Sequence, residues 1–409
     1  MNHGWPLVTL QEIAANVPYP IGDGDHGQIK PAMYESSGVP YIRVADIGWG
    51  HFEPKGLVHI SESVHEANLK SELKPGDILI AKTGATIGKC CVVPSYVEKA
   101  NTTSSVGKIS VDQKRMHPKF LLYWFLTPEF QKYLWSISTR AAQPGFNIAD
   151  MKLFKVPLPP LAEQQRLVDL LDKAFEGIAI AKANAEKNLW NASALFESRL
   201  QSLFTQSRTR WKRIVLTEVT KKITDGSHNP PPGVPVSKFL MLSSKNVFDD
   251  DLDYLNPRYL NAESFDIEHK RTGVIPGDVL LTIVGTIGRC AVVPDGAPHI
   301  TLQRSVAVIR PDQARLTSRF LMYSLMSRRA ELNEQSRGVA QKGIYLESLR
   351  NVLVLVPTLE EQVRIVGELD LLQDHTNQLA QIYAQKAKSV GRLGVALLHQ
   401  AFSGQLAAA

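Results

Sequence analysis

Residues 157–166 read Pro-Leu-Pro-Pro-Leu-Ala-Glu-Gln-Gln-Arg, and residues 356–364 read Val-Pro-Thr-Leu-Glu-Glu-Gln-Val-Arg. In each stretch proline ends a globular segment, and Leu-x-Glu-Gln-x-Arg opens a long segment with apolar residues at heptad-like spacing. The two stretches lie about 200 residues apart. The sequence therefore predicts the same transition into a long helix at two places in the chain.

The repeat extends over essentially the whole chain of 409 residues. Pro75–Pro94 matches Pro276–Pro294 with one deletion, and Asp23-Gly24 with His26 matches Asp225-Gly226 with His228. Other matched residues follow in the same order, namely Trp5 and Trp211, Phe120 and Phe320, Tyr123 and Tyr323, and Phe204 and Phe402. Matches in one order along the chain predict two copies of a single fold.

Each copy is predicted to begin with an α+β globule rich in short strands and loops. Apolar runs between Pro-Gly and Gly turns predict strands at 78–81, 90–93, 279–281 and 290–293. Apolar spacings of three and four residues predict one helix over 120–133 and its counterpart over 320–332.

Each copy is predicted to end with a long helix. Some 44 residues would make a rod of roughly 65 Å, and its apolar stripe needs a partner. We expect the two helices to pair as an antiparallel coiled coil that separates the globules, because two copies related by a two-fold axis place their helices in opposite directions. In the alternative, each helix folds back on its own globule; its weakness is that some 44 residues greatly overshoot the reach of a globule of this size.

The fold class is thus α+β, with two tandem globules separated by two long helices and a pseudo-two-fold internal repeat. The predicted domains are a first globule at 1–157, a first spacer helix at 158–204, a second globule at 205–356 and a second spacer helix at 357–409.

The positive charge is concentrated in the globules. Residues 1–160 carry 16 basic and 14 acidic groups and residues 205–358 carry 21 and 15, whereas both helices are slightly acidic. This pattern favours a polyanionic partner for the globules, although a surplus that only aids solubility is equally compatible. Cys90, Cys91 and Cys290 form no paired framework, so we expect reduced, half-buried thiols and a cytoplasmic protein. We expect neither a secretory signal nor a membrane span.

Several motifs suggest catalysis and fail on inspection. Gly84-Ala-Thr-Ile-Gly88-Lys89-Cys90 has three residues between its glycines where a nucleotide-binding loop needs four, and Cys90 where it needs Ser or Thr. Asn229-Pro-Pro-Pro232 lacks the aromatic ring with which adenine methyltransferases stack on a flipped base. The Asp23/Asp25 and 249–251 acid groups are more typical of solvated turns than of metal sites, and we find no zinc spacing.

The two copies, the Leu-x-Glu-Gln-x-Arg helix starts, the paired Gly-Asp-Ile/Val-Leu and Thr-Ile-Gly elements and the terminal Ala401-Phe-Ser-Gly404 resemble the specificity subunit of type I restriction-modification systems. The resemblance covers essentially the whole chain. It implies two target recognition domains that each read half of a split site in double-stranded DNA, with the coiled coil setting the gap. It also implies docking of two modification subunits, which methylate adenine, and of restriction subunits that add translocase and nuclease activity.

The resemblance further implies that this chain is not an enzyme and binds no cofactor or metal, with S-adenosylmethionine, ATP and Mg²⁺ belonging to partner subunits. We predict DNA contacts from basic and polar side chains in Gly/Pro-punctuated loops, because Arg and Lys suit phosphate or guanine and Gln suits adenine. These residues are Arg43, Lys82, Thr83, Lys89, Arg140, Gln143, His228, Lys245, Arg289, Arg304, Arg337, Gln341 and Lys342. For each of them a solvated surface side chain is the alternative.

Two other functions remain open from sequence. A self-sufficient restriction or methylation enzyme would need cofactor and catalytic motifs, and we find none. A repeat-built interaction protein without a DNA role would differ in its response to salt, because phosphate contacts make affinity fall steeply as salt rises.

Overall fold

The computed structural model describes residues 4–138, 144–207, 210–336, 343–403 and 405. The chain forms two compact units, Met1–Ala185 with Gln385–Ala409, and Glu186–Ala384. Each unit contains one globule together with parts of both long helices. This division follows packing and cuts both long helices near their middle. The domain boundaries predicted from sequence separate globules from helices instead, and they remain a prediction.

In the described residues of the first unit, ten short strands and four short α-helices precede the first long helix. The strands are β1 (Leu7–Thr9), β2 (Ile21–Asp23), β3 (Val39–Ile42), β4 (Val58–Ile60), β5 (Glu72–Leu73), β6 (Ile78–Ala81), β7 (Cys90–Val92), β8 (Ala100–Thr102), β9 (Val106–Ile109) and β10 (Lys155–Pro157). The helices are α1 (Glu62–Ala67), α2 (Pro118–Leu126), α3 (Pro128–Ser138), α4 (Ile148–Lys152) and the long α5 (Leu161–Gln206).

The second unit repeats this plan. Its strands are β11 (Lys212–Val215), β12 (Thr220–Asp225), β13 (Phe239–Leu242), β14 (Val247–Phe248), β15 (Asp251–Leu252), β16 (Arg258–Leu260), β17 (Val279–Thr282), β18 (Cys290–Val292), β19 (His299–Leu302), β20 (Val306–Pro311) and β21 (Leu353–Val356). Its helices are α6 (Ala262–Thr272), α7 (Ser318–Met326), α8 (Arg329–Glu334), α9 (Leu346–Arg350) and the long α10 (Leu359–Ser403).

Sheet order confirms the repeat. The order β2-β9-β6-β7 in the first unit is matched by β12-β20-β17-β18 in the second, and both sheets are antiparallel throughout. A second sheet in each unit contains one parallel pair, β3 with β8 and β13 with β19. In each unit the first strand also pairs with the strand that leads into the long helix.

Matched aromatic residues hold the end of a long helix in each unit. In the first unit the ring centre of Phe402 on α10 lies 5.0 Å from the ring centre of Phe120, whose ring also contacts Trp5. In the second unit Phe204 of α5 lies 5.4 Å from Phe320, and both rings contact Trp211. Each globule therefore receives the last turns of the other copy's helix.

The beginning of each long helix packs on its own globule. Leu167, Val168 and Leu171 at the start of α5 share a core with Leu398 and Phe402 near the end of α10. In the second unit Ile365 and Leu369 at the start of α10 share a core with Leu200 near the end of α5. The start of one helix thus meets the end of the other, which confirms the predicted antiparallel pair.

The buried fraction changes along the helices. At the helix ends, where a globule also packs on the helix, apolar residues such as Leu171 and Phe402 are almost fully buried. Other residues of the predicted stripe are open to solvent, since Leu195 and Leu379 are 51% and 40% exposed, whereas Ala185 near the middle of α5 is buried. The stripe is therefore continuous in sequence but not in burial.

The glutamine of the Leu-x-Glu-Gln-x-Arg motif is the centre of a small hydrogen-bond network in each unit. Gln164 is fully buried; its Oε1 accepts the His117 N–H at 2.8 Å, and its Nε2 donates to the carbonyls of Arg115 and Pro159 at 2.8 and 2.9 Å. Gln362 makes the same three bonds, to Thr317, Arg315 and Pro357. The amide ties the helix start to the loop before α2 or α7.

The single helices predicted over 120–133 and 320–332 are wrong, because each is broken into two. Pro128 has no N–H and forces Thr127 out of the helical conformation, which separates α2 from α3. The second copy has no proline there. Instead, the Gln201 side chain donates to the Ser327 carbonyl at 2.6 Å, and α8 starts after this point.

The thiols are more buried than we expected, and no helix in the described ranges is long and apolar enough to cross a membrane. Cys90, Cys91 and Cys290 are free and fully buried on β7 and β18. Burial raises the pKa of Cys91 to about 12 and raises the pKa of the other two thiols.

Candidate nucleic-acid interface

The Asp-Gly-x-His segments form equivalent turns at the ends of β2 and β12. A Cβ on Gly24 would lie 1.9 Å from the Thr102 carbonyl oxygen, and one on Gly226 would lie 2.1 Å from that of Leu302. Since backbone atoms cannot yield that space, glycine is required at both positions. The close approach places each turn against the strand ends at 102–103 and 302–303.

The aspartate of each turn holds its histidine and a second cation. The Nε2 atoms of His26 and His228 lie 3.2 and 2.9 Å from carboxylate oxygens of Asp23 and Asp225. The second cation differs between the copies, because Lys82 binds Asp23 at 2.5 Å whereas Arg271 of α6 binds Asp225. The two turns therefore share a backbone and differ in their charged side chains.

Several loops meet beside each turn. In the second unit the Arg304 N–H donates to the Ser227 carbonyl at 2.9 Å, and the Ser244 N–H donates to Ser305 Oγ at 3.0 Å. Val284 pairs with Gly343 at the same edge. The first unit repeats the arrangement, since the Ser104 N–H donates to the Asp25 carbonyl at 3.0 Å and Thr83 pairs with Gly145.

In the second unit these loops enclose a pocket of about 570 Å³. Its charged and aromatic lining residues are Asp225, His228, Arg271, Arg304, Tyr345 and Glu347. The His228 side chain is 53% exposed, the Tyr345 residue is 67% exposed, and Arg304 is exposed. The pocket thus combines cations for phosphate or guanine with an open aromatic ring that can stack on a base.

Equivalent loop positions carry different chemistry in the two units. Lys245 and Arg304, both exposed, correspond to Ala45 and Ser104 in the first unit. The correspondence follows from matching backbone hydrogen bonds on either side of these positions. The two units therefore present different side chains on equivalent backbone positions.

The matched basic residues at the β6–β7 and β17–β18 hairpins lie in equivalent turns, as the sequence predicted. The Lys89 carbonyl accepts the Ala81 N–H at 2.8 Å, and the Arg289 carbonyl accepts the Thr282 N–H at 2.9 Å. The Arg289 guanidinium lies 4.9 Å from the centre of the Phe248 ring, which orients it by a cation–π contact. No described residue partners the Lys89 side chain.

Other predicted contact residues have different surroundings. Lys82 has a side chain only 7% exposed and paired with Asp23, so it orients the turn rather than facing solvent. Arg43 is half-buried and donates to the Gly56 carbonyl at 2.8 Å and to Asp46 at 3.3 Å. Thr83 is half-buried at the edge of the loop cluster. The remaining predicted residues, Arg140, Gln143, Arg337, Gln341 and Lys342, lie outside the described residues.

Sequence reasoning missed Arg271 and Tyr345. Arg271 belongs to α6, for which the repeat gave no sign because the corresponding helix α1 of the first copy is five residues shorter and ends before an equivalent position. Tyr345 lies two residues after Gly343 and corresponds to Asn147; the aromatic residue in a glycine-containing loop was the signal available in the sequence, and its exposure is seen only in the structure.

Among the described residues, no group of three or more His, Cys, Asp or Glu side chains is placed to hold a metal ion. The acidic residues Asp249 and Asp250 instead bind arginines, with Arg329 at 2.5 Å from the first and Arg319 at 2.8 Å from the second. These carboxylates stabilise the second unit.

A family model described as the type I restriction modification DNA specificity domain matches residues 19–189 and 237–387. The chain is 24% identical over 400 residues to the type I restriction enzyme EcoBI specificity subunit of Escherichia coli, covering 91% of this chain and 81% of the relative. It is 23% identical to the EcoKI specificity subunit of Escherichia coli strain K12, covering 90% and 83%.

Two solved structures share the fold. A chain from a type I R-M system, solved in work on complex assembly and conformational transition, has a TM-score of 0.74 at 21% identity over 98% of both chains. The HsdS subunit from Thermoanaerobacter tengcongensis has a TM-score of 0.59 at 21% identity, with 99% of this chain and 98% of that chain covered.

Proposed function

The chain belongs to the family of type I restriction modification DNA specificity domains, and on this premise we propose that each globule reads one half of a bipartite DNA site. Membership makes the chain a recognition component rather than a catalytic subunit. The observation that carries the proposal is the loop cluster, which recurs in both units with different exposed side chains.

The second-unit pocket supports contacts to both phosphate and bases. We assign Arg304, Lys245 and Arg289 to the DNA-facing surface, because they are basic and at least partly exposed at neighbouring loops. His228, held by Asp225, and Tyr345 supply a donor or acceptor and a stacking surface. In the first unit Lys89 takes the place of Arg289, Thr83 lies at the edge of the loop cluster, and Lys82 supports the turn through Asp23.

The long helices would set the gap between the half-sites and bind the catalytic partners. A helix of 46 residues spans about 69 Å at 1.5 Å per residue. Apolar side chains that stay exposed on the two long helices, such as Trp190 on α5 at 70% and Val363 on α10 at 64%, support docking of two modification subunits. Restriction subunits would add cleavage, and S-adenosylmethionine, ATP and Mg²⁺ would bind to these partners. Three buried, free thiols suit the reducing cytoplasm in which such a complex would act.

A salt titration of DNA binding tests the proposal on the purified chain. We expect affinity to fall steeply with salt, and Arg304→Ala to lower the slope by about one unit if Arg304 binds a phosphate. If it reads a base, the substitution should relax one position of one half-site at a cost of about 1–3 kcal/mol. Arg392→Ala, at an exposed position on α10, is the matched control.

Two results would contradict the proposal. Salt-independent binding, or none in the complex with modification subunits, would favour an interaction protein without a DNA role. Methyl transfer by the chain alone, with S-adenosylmethionine and mixed DNA, would show that it is a self-sufficient enzyme.

A further inference from the structure

A further pocket, of about 490 Å³, lies in the first unit on the sheet formed by β2, β9, β6 and β7. Val17, Tyr19 and Leu69 give it apolar walls, and Asp77 and Ser110 lie in its lining. It shares no lining residue with the loop cluster at Asp23. This pocket is therefore distinct from the loop cluster.

The second copy shows what occupies the same place there. Arg310 binds Asp278 through two hydrogen bonds of 2.7 and 2.8 Å and donates to the Gly273 carbonyl at 2.6 Å. Asp278 corresponds to Asp77, because the carboxylate of each accepts the backbone N–H three residues before it at 2.9 Å. Strand pairing places Ser110 at the position of Arg310. The first copy thus keeps the aspartate and lacks the guanidinium.

Neighbouring residues repeat the difference. In the second copy Lys222 donates to the Thr272 carbonyl at 2.6 Å, and its position is taken by Pro20 in the first copy. Lys108 compensates only in part, since its Nζ donates to the Glu72 carbonyl at 2.8 Å, the counterpart of the Gly273 carbonyl. The first copy therefore has no cation at the two positions that Arg310 and Lys222 occupy in the second, and Lys108 reaches the same carbonyl from a neighbouring position.

The other charges that face the pocket already have partners. Lys74 lies 3.4 Å from the Glu72 carboxylate, and Lys70 lies over the Tyr19 ring at 5.8 Å. Asp77 accepts the Ser110 hydroxyl at 2.6 Å and the Lys74 N–H, and no described cation lies within ion-pair distance of it. Burial raises the pKa of Asp77, and the hydrogen bonds it accepts and the nearby Lys108 and Lys74 offset this rise only in part.

We propose that this pocket binds a guanidinium group, with its planar fork on Asp77 and its alkyl stem against Tyr19 and Leu69. Guanidinium and carboxylate form paired, parallel hydrogen bonds, which is the arrangement that Arg310 and Asp278 make in the second copy. The group comes either from a free small molecule or from an arginine of a partner protein. The inference depends on the internal repeat and not on DNA binding.

Calorimetric titration of the full chain with n-propylguanidinium tests the proposal. We expect saturable binding, with n-propylurea and n-butylammonium at least about tenfold weaker, because the first lacks charge and the second lacks the fork. Ser110→Arg should supply the chain's own guanidinium and weaken binding about tenfold or more, and Asp77→Asn should do the same. Circular dichroism verifies that each variant is folded.

Absence of binding to the wild-type chain would overturn the proposal. So would equal binding by wild type and folded Ser110→Arg. The affinity of wild type and of Ser110→Arg for the modification subunit distinguishes a partner's arginine from a free small molecule. A loss of about tenfold in Ser110→Arg identifies a partner's arginine. An unchanged affinity, with n-propylguanidinium still bound in the complex, identifies a free small molecule.

Discussion

The buried glutamine at each helix start gives the sharpest test of how helix and globule are joined. Gln164→Leu keeps the side-chain volume and removes three hydrogen bonds, so the partly buried His117 N–H and Arg115 carbonyl and the buried Pro159 carbonyl lose this partner. Each such group costs about 1–3 kcal/mol, and because the three share one site their costs do not add fully. We expect a loss of about 3–6 kcal/mol in the local stability of the first unit.

Hydrogen exchange measured by mass spectrometry provides the assay. The His117 amide should lose protection in Gln164→Leu, and the Thr317 amide should lose it in Gln362→Leu, because each glutamine acts in its own unit. Gln165→Leu is the control, since its exposed amide bonds only Asp169, at 2.9 Å. If the His117 amide were as protected from exchange in Gln164→Leu as in Gln165→Leu, Gln164 would not be what joins the helix start to the globule.

Three further predictions concern the turns, the thiols and the spacer. Gly226→Ala should destabilise the second unit, since its Cβ would meet the Leu302 carbonyl. Gly177→Ala on α5, with open space around it, should instead raise the free energy of unfolding by about 0.5–1 kcal/mol, and thermal unfolding compares the two variants. Iodoacetamide at pH 8 should label no cysteine until the chain unfolds, because a thiol with a pKa raised to about 12 stays protonated there; rapid labelling of the folded chain would contradict the burial. Four-residue insertions in both helices, after Ala185 and after Ala384, should lengthen the pair by about 6 Å and shift the gap by about one or two base pairs without changing either half-site. Mapping of methylated sites gives the result, and active protein with an unchanged gap would show that the helices are not the ruler.

Both helices must be extended because each contributes to both cores. Leu171 at the start of α5 and Leu200 near its end belong to different units, and the same holds for Ile365 and Leu398 on α10. An insertion near Ala181 in the first helix alone would leave the second helix at its original length. The extended helix would then strain the aromatic contacts at Phe402 or Phe204.

The sequence predicted those features that depend on periodicity and repetition. The strands at β6, β7, β17 and β18, the long helices and their antiparallel pairing follow from local patterns and from two-fold symmetry between the copies. The matched aromatic residues, read only as evidence of a repeat, become contacts between a globule and the other copy's helix.

The features that sequence could not predict depend on three-dimensional neighbours. Lys82 is a basic side chain next to a loop, as expected of a DNA contact, yet it pairs with Asp23 and is almost fully buried. Arg271 reaches Asp225 from a helix that has lengthened in one copy only. At the break between α7 and α8, the Ser327 carbonyl accepts a hydrogen bond from Gln201, which lies more than a hundred residues away in sequence.

Exchange of the first globule in the assembled methyltransferase tests the central claim, two independent readers on one chain, most directly. Residues 1–157 are replaced by the equivalent segment of a relative, with Phe120 and Trp124 retained because their rings contact Phe402. The hybrid is purified with its modification subunits, and methylated adenines are mapped on genomic DNA. The account predicts that one half-site changes while the other half-site and the gap stay the same. A change in both half-sites, or in neither, would contradict it.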